Sequence, residues 1–227
     1  CMPVIKGRKT DREKFAGAEE TYTIEAMMHD GQALQSGTSH YFGQGFAKAF
    51  GIQFADTQHN LSYVYQTPWG ISTRLLGGII MTHGDNEGLV LPPAVAPIQV
   101  AVVPVAQHKP GVLEKAAEVA QALRDAGFRV KLDDSEQSPG WKFAEYEMRG
   151  VPLRIELGPR DIEQGVCVVV RRDNREKMTV ALEQLPQAVA QQLDEFAKAI
   201  YKKAKDNLEQ NTVSARTIDE MKAALEG

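Results

Sequence analysis

Residues 98–132, IQVAVVPVAQHKPGVLEKAAEVAQALRDAGFRVKL, decide the fold. Positions 98–103 form an unbroken, valine-rich apolar run, the composition of a strand covered on both faces. From 111 to 127 the period changes: Val112, Ala116, Val119, Ala120 and Leu123 recur at helical spacing, and Gly127 stands where such a helix stops. Positions 128–132 return to β-forming types. A strand, a helix and a strand in immediate succession are the unit of an α/β fold.

Outward toward the C-terminus, the pattern predicts a short helix over 141–149, strands over 152–157 and 166–171, and a long helix from about 184 to 210. This points to a mainly parallel α/β domain over 97–200, followed by the start of a further segment over 201–227. In the long helix, Lys198, Lys202, Lys203 and Lys205 alternate with Asp194, Glu195, Asp206 and Glu209, the mixture of a solvated face. Outward toward the N-terminus, NEGLVLPPAVAP over 86–97 reads as an extended crossing between domains.

Residues 1–93 carry a different signature. The run 19–30 alternates around Tyr22, Ile24 and Ala26, as a strand does. Gly31, Gly37, Gly43 and Gly45 then punctuate what read as short turns, either hairpins or a backbone that approaches a ligand closely. After another strand-like run over 61–70, Ile71, Leu75, Ile79 and His83 fall on one helical face, widened by Leu76 and Ile80. Ser72 or Thr73 is placed to cap this helix, so Arg74 projects from its first turn. Gly77 and Gly78 weaken it unless a neighbour packs closely.

With 227 residues and 43% hydrophobic content, the chain can bury one good core or two small ones. A net charge of −4 advertises no nucleic acid, so any RNA contact must come from a local patch. The two cysteines, Cys1 and Cys167, form no metal motif, and no apolar run is long enough to span a bilayer, so a reducing cytoplasm is the expected compartment. The first residues enter a charged stretch with no lead-in element and the last begin a helical pattern, so both ends read as interior to a longer polypeptide.

The residues that could carry chemistry are His40 in a Gly-Thr-Ser-His run, Arg74, and His83 with Asp85 in Thr-His-Gly-Asp. A hydrolytic triad lacks its nucleophile elbow, and Ser39 adjoins His40 too closely to be activated by it. A metal site from His40, His83 and Asp85 has no spacing that enforces it, and Asp85 reads better as a turn or cap residue. No phosphate loop of the Gly-x-x-x-x-Gly-Lys-Ser/Thr kind occurs.

Three long stretches, KFAGAEETYTIEAMMHDGQALQSGTSHYFGQGFAKAF, WGISTRLLGGIIMTHGDNEGLVLPP and PGWKFAEYEMRGVPLRIELGPRDIEQG, resemble in that order the prolyl-tRNA synthetases of the archaeal and eukaryotic-like type, and the resemblance covers residues 3–227. It implies a class II synthetase: the C-terminal part of an α+β catalytic domain with antiparallel strands over 1–93, then an anticodon-binding domain over 97–200. The implied reaction is activation of proline by ATP with Mg²⁺ and transfer of prolyl to its tRNA, in a homodimeric parent enzyme. The resemblance implies that Gln35, Thr38, Ser72, Thr73 and Arg74 contact ATP, with Arg74 the catalytic cation. It implies that His40, Glu25 and Thr23 line or support the proline pocket, with His83 either a site residue or a structural one. It maps Phe143, Glu147, Arg154 and Asp161 to anticodon readers, with Lys177 or Arg175 a further basic contact. It also places the first two class II motifs before Met2 and a zinc-bearing domain beyond the last residue, so no zinc site is expected here and the chain alone is expected to be inactive. The competing reading is a non-catalytic RNA-binding module that uses only 97–200.

Overall fold

The computed structural model describes residues 1–226. The chain divides into two compact units, residues 2–82 with 210–226, and residues 83–209 with Cys1.

In the first unit, β1 (Ile5–Arg8), β2 (Glu20–Met27) and β3 (Ala33–Tyr41) pair antiparallel in succession. After helix α1 (Gly45–Phe50) and the small hairpin β4 (Gln53–Ala55) and β5 (Leu61–Tyr63), the two-residue β6 (Trp69–Gly70) joins β3, giving the order β1-β2-β3-β6. The glycine-rich stretch expected as short turns is therefore largely one nine-residue strand, β3. Only Gly31, at φ +77°, serves the β2–β3 turn, where its amide donates to the Met28 carbonyl. Gly37 lies inside the strand opposite Ile24, whose side chain occupies the space beside it. The charged residues near the N-terminus also form a strand, β1, whose exposed Lys6 and Arg8 suit a sheet edge.

A bulge between β2 and β3 shapes this sheet. Ile24 pairs with Gly37, but the next residue, Glu25, pairs with Gln35, leaving Ser36 unmatched. The extra residue changes the face parity of β3, so Gln35 shares a face with Thr38 although three positions separate them.

Helix α2 (Arg74–His83) starts where the sequence indicated, with the Ser72 hydroxyl accepting the Arg74 amide at 3.3 Å. Ile79 and His83 are buried, but Leu76 and Ile80 are not, at 61% and 42% exposure. The packed stripe runs through Gly78 instead, where a methyl group would stand 3.5 Å from Leu34 of β3; Gly77 has no such neighbour.

The second unit is an α/β sandwich. Its strands β7 (Val100–Pro104), β8 (Val130–Leu132), β9 (Leu153–Leu157), β10 (Val166–Arg171) and β11 (Lys177–Ala181) take the order β11-β10-β9-β7-β8. The three strands β8, β7 and β9 are parallel, while β10 and β11 are added antiparallel, so the sheet is mixed. Alternation then fixes what each face holds. Val100, Val102, Leu153, Ile155, Cys167 and Val169 meet α3 (Val112–Asp125) and α6 (Leu185–Gln210), where all five helix positions read from the sequence are buried. Ala101 and Val103 meet α4 (Pro139–Met148) on the opposite face. Helix α5 (Pro159–Glu163) lies near α3 and β10. On α6, Lys198, Lys202 and Lys205 pair with Asp194, Asp206 and Glu209 at i,i+4 spacing, as a solvated face does.

The proline-rich stretch belongs to this second unit. Leu89 and Leu91 donate to the carbonyls of Met148 and Gly150 at the end of α4, and Arg129 holds the carbonyls of Pro93 and Ala96 at 2.6 and 2.8 Å. The last helix, α7 (Ile218–Glu226), carries Ile218, Met221 and Leu225 exposed. No helix among the described residues is long and apolar enough to cross a membrane.

Candidate functional site

Two clusters of polar side chains stand out, one in each unit. In the first, alternation along β2 and the bulge in its pairing put Thr21, Thr23, Glu25, Gln35, Thr38 and His40 on one face of the sheet. His40 is held at both ring nitrogens: Nδ1 bonds the Thr21 hydroxyl at 2.9 Å and Nε2 the Thr38 hydroxyl at 3.0 Å. Phe15 and Phe42 flank the ring at 5.2 and 5.9 Å between centroids. The result is a fixed, flat wall rather than a mobile base. Thr23 is buried and donates to the Gly37 carbonyl at 3.3 Å, which pins the strand pair beneath this face.

Lys9 donates to the Gln35 side-chain oxygen at 2.6 Å, which turns the amide NH₂ of Gln35 away from that lysine. These residues line a cleft of about 620 Å³ with Arg8, Glu13, Thr23 and Glu25. A second groove, of about 290 Å³, brings Gln35 and Thr38 together with Gly70, Ser72 and Arg74. Thr73 lies beside it and accepts the Leu76 amide through its carbonyl. Arg74 is exposed at the start of α2, and no carboxylate among the described residues pairs with its guanidinium. An exposed, unneutralised guanidinium beside an amide and a hydroxyl can grip a polyanion.

The alternatives raised by the sequence meet specific obstacles. Ser39 pairs with Tyr22 and Trp69 and so faces away from His40, which rules out their joint action as nucleophile and base. His83 is buried at the far end of α2 with Nε2 bonded to the Cys1 carbonyl at 2.8 Å, a structural arrangement. Asp85 accepts the Glu87 amide and both terminal nitrogens of Arg172, so it is a turn and ion-pair residue. No group of three metal-binding side chains converges among the described residues.

The second cluster lies on the α4 face of the larger sheet. Helix α4 is started by Ser138, whose hydroxyl accepts the Trp141 amide, and is anchored by the buried Lys142, which donates to Gln107 and to the Asp133 carbonyl at 2.9 Å each. Burial alone would raise the Asp133 carboxyl, but hydrogen bonds from Ser135 and the Lys142 charge outweigh it and hold it below the usual carboxylate range. Burial, reinforced by the Asp133 charge, pushes the neighbouring Tyr146 phenol up, so it stays neutral.

This anchoring sets Phe143 and Glu147 over β9. Arg154, with its side chain 8% exposed, donates Nη1 to Glu147 at 2.8 Å, and Nε and Nη2 to Glu156 at 3.2 and 3.0 Å. Its guanidinium carbon lies 4.1 Å above the Phe143 ring. Lys177 reaches the same Glu156 from the edge strand at 3.3 and 3.4 Å. Arg175 pairs instead with Glu87. Asp161 is set apart: it begins α5, where its carboxylate accepts the Gly158 amide at 2.8 Å. Arg154, Lys177, Glu147 and Glu156 together are electrically neutral, yet they offer fixed donors and acceptors side by side. That is what an unpaired base presents on its edges.

Comparison with known proteins bears on both clusters. A family model described as an anticodon binding domain matches residues 99–192. The chain is 62% identical to a proline–tRNA ligase of Lachnospira eligens over 98% of its own length and 46% of that relative. By sequence, the chain is similar to proline–tRNA ligases along nearly its whole length. A proline–tRNA ligase of Ruminiclostridium cellulolyticum is 60% identical over 97% of the chain and 46% of the relative, and one of Clostridium botulinum is 55% identical over the whole chain and 47% of the relative. The chain spans a little under half the length of the curated relatives it matches. Within the sequence, the region matched by the anticodon binding domain contains the whole second cluster, and the first lies outside it.

Sequence reasoning missed three residues of these clusters: Thr21, Lys9 and Glu156. Thr21 and Glu156 share strand parity with Thr23 and Arg154, a signal present in the sequence. Lys9 carries none, since its approach to Gln35 depends on the course of the chain after β1.

Proposed function

We propose that the chain supplies part of the proline and ATP pocket and the anticodon reader of a proline–tRNA ligase. What carries this reading is the convergence of Gln35, Thr38 and Arg74 on one groove, in a chain that matches such a ligase over 98% of its own length. Proline would lie against the wall formed by His40, with Thr23 and Glu25 supporting the floor; a flat, doubly bonded ring suits a small apolar pyrrolidine. ATP would lie along Gln35, Thr38, Ser72, Thr73 and Arg74. As the proline carboxylate attacks the α-phosphate, negative charge grows on the departing pyrophosphate, and a cation fixed at a helix start stabilises it. Mg²⁺ would accompany the phosphates and neutralise part of their charge. The partners of this reading are proline and its tRNA, the parent enzyme is a homodimer, and the compartment is the cytoplasm.

The test is proline-dependent exchange of pyrophosphate into ATP by the complete ligase, roughly twice the length of this chain. Arg74→Ala is expected to lower exchange about 100-fold or more. Exchange within a factor of about two of wild type would remove Arg74 from the site.

In the second unit, Glu147 would accept from the Watson–Crick edge of a guanine while Arg154 and Lys177 donate to its Hoogsteen edge. Proline codons begin with two cytosines, so their anticodons carry two guanines, which fits this donor and acceptor set. Asp161 would act from the start of α5 only if its carboxylate exchanged the Gly158 amide for a base. The compactness of residues 83–209 also suits an RNA-binding module without catalysis. Loss of exchange in Arg74→Ala separates the two readings.

A further inference from the structure

We propose that Glu156 is a positioning residue that fixes Arg154 and Lys177 for guanine recognition and keeps part of Glu147 available to the base. The proposal rests on reading this cluster as the anticodon site. The sheet register sets the problem that Glu156 solves. Arg154 and Lys177 both pair with Val170 of β10, one from each side, so their backbones stand in one row two strand spacings apart, roughly 10 Å. Both side chains rise from the same face, and neither strand by itself fixes where the cationic ends point. Glu156 stands two residues along β9 from Arg154, on the same face, with its carboxylate between them.

The geometry is asymmetric. One oxygen of Glu156, Oε1, takes both Nε and Nη2 of Arg154, and the pair of oxygens takes Lys177 at 3.3 and 3.4 Å. The carboxylate is itself largely covered, at 13% exposure, so it is not a solvated surface charge that happens to be near. Arg154 is nearly buried and Phe143 covers its guanidinium, so the N–H groups that point outward in the guanidinium plane need hydrogen-bond partners around its edge. Glu156 occupies Nε and Nη2, which leaves Glu147 to meet only Nη1 through Oε1. Glu147, whose side chain is 31% exposed, then keeps its other oxygen for a partner outside the protein.

Neutralising Glu156 changes this division. Arg154 would draw both oxygens of Glu147 to itself, and Lys177 would lose its anchor and move freely over the sheet edge. Attraction to RNA would persist, because no positive charge is removed, but the preference for guanine would fall. A residue that merely stabilises the fold would instead weaken every RNA alike.

The experiment measures binding of the 227-residue chain to RNA hairpins that carry the anticodon UGG, or the same loop with either guanine changed to adenine. Wild type is expected to prefer the guanine loop at least about tenfold. In Glu156→Gln the ratio is expected to fall below about threefold, while the adenine hairpins bind within about threefold of their wild-type affinity. Glu156→Asp keeps the charge but withdraws it, and is expected to fall between the two. Circular dichroism identifies which variants are folded. A wild-type ratio preserved in Glu156→Gln overturns the proposal; should that variant not fold, an unchanged ratio in Glu156→Asp does so. Equal weakening of all hairpins also overturns it, since that marks a structural role. Absence of any preference in wild type defeats the anticodon reading itself, and the proposal with it.

Discussion

Asp85 and Arg172 join through hydrogen bonds of 2.6 and 2.8 Å, and Arg172 also donates Nε to the Glu147 carbonyl at 2.7 Å. The Arg172 guanidinium, working against partial burial, holds the Asp85 carboxyl down at about 2, against an ordinary value of 3.8. A carboxyl depressed in the folded state adds stability above its unfolded value and loses it as pH falls through the folded one. At about 1.4 kcal/mol per unit, the pair contributes no more than about 2 kcal/mol near neutrality, since a third-exposed carboxylate is partly screened. Replacing Asp85 by asparagine removes the titration but keeps the shape. The difference in urea-unfolding free energy between wild type and Asp85→Asn is expected to be flat above about pH 5 and to shrink by up to about 2 kcal/mol toward pH 2. A difference that does not vary with pH would show that the pair contributes nothing through ionisation.

Among the elements, the end of α4 is the place where packing tolerates least. Gly150 has φ +69°, and a methyl group there would stand 2.6 Å from the backbone of Leu89, in the segment that Leu89 and Leu91 stitch to α4. Gly127, at φ +91° after α3, has open space where its methyl would go. Both substitutions to alanine incur left-handed backbone strain, but only Gly150→Ala adds a collision with main-chain atoms. Urea unfolding is expected to show Gly150→Ala losing about 1–3 kcal/mol more than Gly127→Ala, and equal losses would mean that the segment 85–91 is not held against α4. The same comparison explains what the sequence could disclose. Helix α3 was legible to the residue because a long amphipathic period is a local property, and all five positions read from it are buried. Strands β1 and β11 were not, because one is wholly exposed and the other offers only Met178 and Val180 to the core; their strand form comes from pairing with β2 and β10. Helix α5 is a single short turn set by Pro159 and Asp161. The site was legible as residue types, through the resemblance. The bulge that puts Gln35 and Thr38 on one face, and the place of Glu156 between two cations, depend on register between strands, which a single strand does not encode.

For the molecule as a whole, apolar burial is uneven, and stability should follow it. In residues 2–82 the buried apolar side chains are Pro3, Ala18, Ala26, Ala47 and Ile79, while Phe50, Leu61, Trp69 and Ile71 are more than two-thirds exposed. In residues 83–209, fourteen buried residues from β7, β9, β10, α3 and α6 form one continuous cluster. Fully burying a valine, leucine or isoleucine contributes about 1.5–3 kcal/mol, so the second unit holds most of the hydrophobic stabilisation. Amides in β2 and β3 rely on a sheet with little apolar cover, and they can exchange through opening of that sheet alone. Amides in β7 and β9 exchange only when the large cluster comes apart. Native-state hydrogen exchange of the 227-residue chain is therefore expected to protect Val100–Pro104 and Leu153–Leu157 at least about 100-fold more than Glu20–Met27 and Ala33–Tyr41, a gap of about 3 kcal/mol. Equal protection in all four strands would mean that the two units open as one.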